Sequence, residues 1–401
     1  MNVLVFNCGS SSLTYKVFQR KTMHDGEVLI HGKAHRVGVK GTHPSFIEHY
    51  FGTELSKDTI PIGSHKEASS LVMDFIQSRQ VKIDLIGHRF VHGGSHFVKS
   101  VLIDERTRNK LRLCLPLAPI HNPITMDVIE ESKRVFPSVS QYATFDTAFH
   151  KTLPDYAYTY ALPGNIRKMF AFRKFGFHGL SYSYVVGAAA EYLAHPAEEL
   201  KIVACHLGTG GSSVAAIKNG CSIDTSMGYS PLTGLVMSTR SGDIDPMLAI
   251  YLMSVYGYHS DGLERLLNKM SGLLGVSGVS SDIRDLVHVD EEGNEGDKQS
   301  ELALQMYIHR LKKYVGSYIF ALKGMDVLIF TDDIGVQNWL VREKVCEGLN
   351  WCGLILDREG NRNAPTDRIA RLDAKGSQVR ILSIPTDEEI VIYREGIKLL
   401  E

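Results

Sequence analysis

No CxxC pair and no metal-ligand spacing joins the six cysteines: Cys8, Cys114, Cys205, Cys221, Cys346 and Cys352. That argues against a structural zinc module and a disulfide framework, and leaves the thiols as small, mostly buried hydrophobes in a reducing compartment. An excess of either charge is also missing. Lys and Arg number 44 and Asp and Glu 45, a net charge of −1. With neither a basic tail nor a basic stripe, a nucleic-acid or membrane-surface protein is not expected. No stretch approaches the ~20 apolar residues of a membrane span. The start, MNVLVFN, lacks the basic region and long apolar core of a signal peptide. The expected location is the cytoplasm. Nor does a low-complexity linker divide the 401 residues, although that length exceeds one ordinary core and points to two domains.

What is present is a repeat. VLVFNCGSSSLTYKVF (3–18) reads as an apolar strand, a Gly/Ser turn and an alternating strand. His24-Asp25-Gly26 then marks a hairpin, and EVLIHGKAH a third strand. Two hundred residues on, KIVACHLGTGGSSVAAI (201–217) repeats the order, with Asn219-Gly220 as a type I′ turn and CSIDTS as the next strand. One Gly/Ser turn is usually only a turn. Two of them in matching positions suggest a duplicated fold with facing phosphate loops across a cleft, because glycines allow close backbone approach and exposed N–H groups cradle phosphate oxygens. Downstream, apolar residues near Leu304, Tyr307, Ile308, Leu311, Val315, Tyr318 and Leu322 have helical spacing. HVDEEGNEGDKQS just before them reads as a solvated loop. The helix leads into VLIFTDDIGVQNW (327–339), a buried strand ending in two carboxylates at an edge where α/β proteins bind ligands.

Polar clusters stand at other predicted strand ends and Gly-rich bends. LIGHRFVHGGS holds Arg89, LAPIHNP holds His121 and Asn122, and FDTAFH holds Asp146. FGFHGLS holds His178 and MSTRSGDIDP holds Arg240. Singly, each has an ordinary explanation: a surface ion pair, a core histidine, a helix cap. Five together make coincidence a poor account.

The set NCGSSS, GHRFVHGG, LAPIHNP, FDTAFH, FGFHG, HLGTGGSS, DTSMGYSPLTGLVMSTRSGDIDP and SGLLGVSGVSSDIRD closely resembles the acetate kinase family over nearly the whole chain. The resemblance implies an α/β fold of two duplicated ribonuclease H-like domains, in the superfamily of acetate and sugar kinases, chaperone ATPases and actin, with a central cleft. One lobe would be 1–149 plus 389–401 and the other 150–388. It implies phosphoryl transfer between acetate and a phosphate donor through acetyl phosphate, closure of the lobes, and a homodimer. By the same matching, Arg89 binds the acetate end, Arg240 stabilises the phosphoryl group in flight, and His178 donates to one of its oxygens. Guanidinium groups suit both anions because they grip them bidentately. Asp146 is read as an organiser of arginine or metal rather than a base, since acetate is already an adequate nucleophile. Val91, Ile120 and Pro231 would wall the acyl pocket. One methylene is worth only about 1–3 kcal/mol of discrimination, so propionate stays within reach. Mg²⁺, with Mn²⁺ as a substitute, would sit near Asn7 and Glu388. In SIPTDEEIVIYREGI, Thr386 and Glu389 have capping-box spacing, which assigns Glu389 to the helix start and frees Glu388.

Departures from the family concentrate at the phosphate donor. The expected phosphate and nucleotide positions are Thr14, His206, Leu207, Gly208, Thr209, Gly210, Gly211, Asp282, Ile283, Arg284, Asp333, Ile334, Gly335, Val336 and Gln337. Family members that use nucleotides generally read FT(A/G)GIGEN where this chain has FTDDIGVQN. Asp333 thus replaces a glycine beside base and ribose, and no cation stands nearby in sequence. Thr14 stands where a lysine is usual, Thr209 where an asparagine is, and Leu180 and Tyr182 replace a threonine and a histidine. The pattern resembles the pyrophosphate-type acetate kinases of anaerobic protists, with pyrophosphate and orthophosphate in place of ATP and ADP. An ATP-dependent acetate kinase with a divergent loop, a propionate or butyrate kinase, and an idle binding relative stay open as alternatives.

Overall fold

The computed structural model describes residues 1–21, 26–39, 43–286 and 298–401. The hairpin residues His24 and Asp25, and the acidic segment up to Asp297, lie outside them. The chain forms two compact units, Met1–Phe149 with Asp387–Glu401, and His150–Thr386.

The first unit is built on eight strands: β1 (Asn2–Cys8), β2 (Ser12–Arg20), β3 (Gly26–His35), β4 (Phe46–Phe51), β5 (Glu54–Asp58), β6 (Leu85–Phe90), β7 (Val101–Leu102) and β8 (Ser140–Phe145). Their order across the sheet is β5-β4-β3-β2-β1-β6-β8-β7. Val3 to Phe6 are all buried, as expected of a central strand with both faces covered. β1, β6 and β8 run parallel, with Phe6 beside His88 and Arg89 beside Thr144. Their carboxyl ends therefore share one edge. That register brings Asn7, Arg89 and Asp146 together from three distant stretches of sequence. Helix Glu388–Lys398 lies on this sheet, where Tyr142 donates a hydrogen bond to the Ile392 carbonyl.

The second unit repeats the plan with β9 (Lys201–Gly208), β10 (Gly211–Lys218), β11 (Cys221–Thr225), β12 (Val327–Thr331), β13 (Ala370–Arg371) and β14 (Arg380–Ile384), in the order β11-β10-β9-β12-β14-β13. Asn219 and Gly220 both have positive φ, as a type I′ hairpin requires. The parallel pair β9 and β12 sets Thr331 beside His206, so their carboxyl ends also share an edge. The predicted helix spans Lys298–Leu322, and Leu304, Tyr307, Leu311, Val315, Tyr318 and Leu322 face the core. It begins three residues inside the segment read as a loop, with Ser300 buried. Helix Pro246–Ser254 is the opposite case: its Met247, Leu248, Ile250 and Tyr251 are all exposed. No described helix is long and apolar enough to cross a membrane.

Candidate active site

In the first unit the site is a web of charge around Arg89. Its Nε and Nη2 donate to the two oxygens of Asp146 at 2.9 and 2.6 Å, a bidentate pair with the carboxylate fully buried. Nη1 donates to Asn7 Oδ1 at 3.0 Å and lies 3.3 Å from Glu388 Oε2. Burial pulls the guanidinium pKa down, but Asp146 and Glu388 outweigh it and hold the pKa above the ordinary arginine value. Asp146 thus orients Arg89 and is oriented by it.

Asn7 joins the arginine to two glutamates. Its Nδ2 donates to Glu388 Oε2 at 3.0 Å and to Glu389 Oε1 at 2.8 Å. The capping-box expectation is overturned here. Asp387, not Thr386, caps the helix, its side chain accepting from Ile390 N, while Thr386 Oγ1 is buried with no partner among the described residues. Glu389 is therefore freed from the cap and turns into the same web as Glu388. Lys16, which the sequence reading passed over, reaches Asp387 at 2.7 Å and Glu389 at 3.4 Å. It lies one pleat along β2 from Thr14, on the same strand face, and Thr14 stands opposite Asn7. The cation missing at position 14 thus has a neighbour two residues away. Nearby, Val91 is buried but Ile120 is 40% exposed. Asn122 is structural: it ties the His92 backbone to the Cys114 carbonyl.

Among the described residues no group of three or more His, Cys, Asp and Glu side chains could cage a metal. The first unit does offer what Mg²⁺ takes from proteins, one or two hard carboxylate oxygens, here on Glu388 and Glu389. As placed, Asn7 gives its amide oxygen to Arg89 and acts as a bridge.

In the second unit the turn between β9 and β10 carries the chemistry. His178 adopts φ of +58° at the start of helix Gly179–Leu193, and its Nδ1 pairs with the Ser213 hydroxyl at 2.8 Å. Tyr182 also reaches that hydroxyl, at 2.6 Å, so it is part of the support of His178. His178 stacks on His206 with ring centroids 4.0 Å apart. A Cβ on Gly211 would lie 2.9 Å from Arg240 Nη1 and 3.6 Å from His178 Nε2, so the bare glycine leaves the space that arginine and histidine converge on. Arg240 finds only the Pro231 carbonyl at 3.4 Å and Met237 sulfur at 3.8 Å, and no carboxylate among the described residues. Burial pushes its pKa down. It is a cation prepared for an anion.

The two aspartates turn toward this loop. Asp332, at φ +65°, places Oδ2 3.1 Å from His206 Nε2, while Ser181 holds Nδ1 at 2.9 Å. Asp333 accepts from Thr209 N at 2.9 Å and from Thr209 Oγ1 at 2.7 Å. No cation stands near Asp333 in sequence, but one distant in sequence acts on it through the fold. Arg284, remote in sequence, feels its field, although Arg284 is paired mainly with Asp282, at 2.5 Å. Leu207, Ile283, Ile334 and Val336 have buried side chains in the core and can offer a ligand only backbone. Gln337 is exposed, and Gly208 leaves room for the Asp332 carboxylate.

The Acetokinase family profile matches residues 2–394. Acetate kinase of Caldicellulosiruptor saccharolyticus is 44% identical over the full length of both chains. The crystal structure of acetate kinase from Entamoeba histolytica is 43% identical with a TM-score of 0.89, covering 100% of this chain and 99% of that one. A propionate kinase from Francisella tularensis is 36% identical, TM-score 0.89, covering 99% of each chain.

Proposed function

Because the chain belongs to the acetokinase family, we propose that it interconverts acetate and acetyl phosphate by direct phosphoryl transfer, with pyrophosphate and orthophosphate as the donor and acceptor pair. In this reading Arg89, oriented by Asp146, meets the acetate carboxylate, with Val91, Ile120 and Pro231 around the methyl group. Arg240 and His178 hold the phosphoryl group as it transfers, and the turn Gly208–Gly211 holds the phosphate. Such catalysis is positioning plus electrostatics. Mg²⁺ on Glu388, with Glu389 beside it and Asn7 bridging both to Arg89, would neutralise phosphate charge when bound. The reaction would take place in the cytoplasm.

The observation that carries the choice of donor is the Asp333 carboxylate, which lies on the turn that would take the terminal phosphate. A nucleotide would have to pass that negative group, whereas a small inorganic phosphate ends there. Asp333→Gly should therefore raise kcat/KM for ADP at least tenfold in an acetyl phosphate assay; no gain would sink the role given to Asp333. Asp282 and Arg284, which keep a motif that the family resemblance associates with the nucleotide site, favour a second reading, ATP-dependent acetate kinase with an altered loop.

The exposed face of helix Pro246–Ser254 supports assembly with a second copy, since apolar surface of that kind marks interaction sites. Light scattering should give twice the chain mass, and Ile250→Asp should halve it. A wild-type monomer would contradict this.

A further inference from the structure

The Asp333 carboxylate is held by three donors, and they do not share it evenly. Oδ1 accepts from Thr209 N at 2.9 Å and from Ile334 N at 2.8 Å, whereas Oδ2 accepts only from Thr209 Oγ1 at 2.7 Å. A carboxylate oxygen has room for about two hydrogen bonds. Oδ1 is thus satisfied, and Oδ2 has one acceptor position to spare among the described residues. The turn around it is open: Thr209 and Gly210 are exposed, and a Cβ at Gly210 would meet nothing within 4 Å. A free acceptor on a phosphate loop repels a fully deprotonated anion and attracts one that still carries a hydroxyl.

We infer that Asp333 selects orthophosphate by accepting a hydrogen bond from its P–OH group. Orthophosphate keeps at least one P–OH throughout the physiological range, while a phosphate monoester loses its last proton with a pKa of about 6. The terminal phosphate of a nucleoside diphosphate behaves like the monoester and arrives with nothing to donate. Asp333 then does more than obstruct a nucleotide. In the transfer, a P–O⁻ oxygen of monohydrogen phosphate attacks the phosphorus of acetyl phosphate. The bond to the acyl oxygen breaks, and acetate leaves with the electron pair. The proton stays on the P–OH held by Asp333, so the product is monohydrogen pyrophosphate. Charge balances: −2 and −2 become −1 and −3.

This inference rests on the orthophosphate reading, and sulfate separates the two. Sulfate matches orthophosphate in size and carries no proton at neutral pH. Titration calorimetry of the full chain with inorganic phosphate and with sulfate, at constant ionic strength, should show phosphate bound at least tenfold more tightly. In Asp333→Asn the oxygen must stay at the Oδ1 position to accept two N–H groups, so the amide nitrogen, a donor, takes the place of Oδ2. Discrimination should then fall below threefold. Thr209→Val should weaken both anions by a similar factor and keep their ratio, which separates proton recognition from general damage to the loop. Equal wild-type affinities, or unchanged discrimination in Asp333→Asn, would overturn the inference. A wild-type chain that discriminates yet forms no pyrophosphate would instead overturn the orthophosphate reading and support the recognition.

Discussion

Arg240→Ala should lower kcat for acetyl phosphate turnover by about 10³-fold, the scale of a phosphoryl-stabilising arginine. The melting temperature should stay level or rise. Both expectations come from the same feature. Arg240 sits against Gly211 and His178 with no carboxylate partner among the described residues, and burial works against its charge. Its folded-state contacts, a carbonyl at 3.4 Å and a sulfur at 3.8 Å, contribute little to stability. An unpaired, half-buried cation costs free energy until an anion arrives, so the charge serves the reaction. The loss should fall mainly on kcat, because charge on the phosphoryl oxygens must be held through the transition state. A melting temperature several degrees lower, with kcat within tenfold of wild type, would mark Arg240 as structural.

The second large effect lies behind the donor loop. Arg342→Met should destabilise the protein by about 3 kcal/mol or more, since it strands several buried acceptors at once. Arg342 is only 1% exposed. Its Nη1 donates to the Gly335 and Val336 carbonyls at 2.9 and 2.5 Å, and its Nε and Nη2 to Asn361 at 2.7 and 3.0 Å. It has no carboxylate partner among the described residues, and burial brings its pKa down to about 10. Those carbonyls end the short helix Asp332–Gln337, so the arginine fixes the segment that carries both aspartates. Methionine fills similar volume but satisfies none of the carbonyls. Urea unfolding would measure the loss, and a change below 1 kcal/mol would show that water or a rearranged loop replaces the guanidinium.

Much of the fold was legible because it is local. The Gly/Ser turns, the Asn219-Gly220 hairpin and the apolar spacing from Leu304 to Leu322 each declare themselves within a few residues. Arg89 and Asp146 could be singled out as polar groups at the ends of apolar strands, Asn7 came only from the family resemblance, and parallel register brought the three together. The failures are where local pattern and geometry part. Thr386 and Glu389 have the spacing of a capping box, yet Asp387 has the shorter reach to Ile390 N and takes the cap. Lys16 looked like one polar residue of an alternating strand, because its partners lie 371 and more residues away. Asp332 reaches His206 through a left-handed backbone conformation that aspartate adopts only occasionally and composition does not announce. Asp333 was legible as an intruder. That it grips Thr209 was not.

The most direct test offers acetyl phosphate and Mg²⁺ to the wild-type chain with orthophosphate or ADP in parallel, and identifies the product by phosphorus NMR. Pyrophosphate from orthophosphate, with little or no ATP from ADP, is the predicted result. Robust ATP formation without pyrophosphate would contradict it and leave an ATP-dependent acetate kinase with an unusual loop.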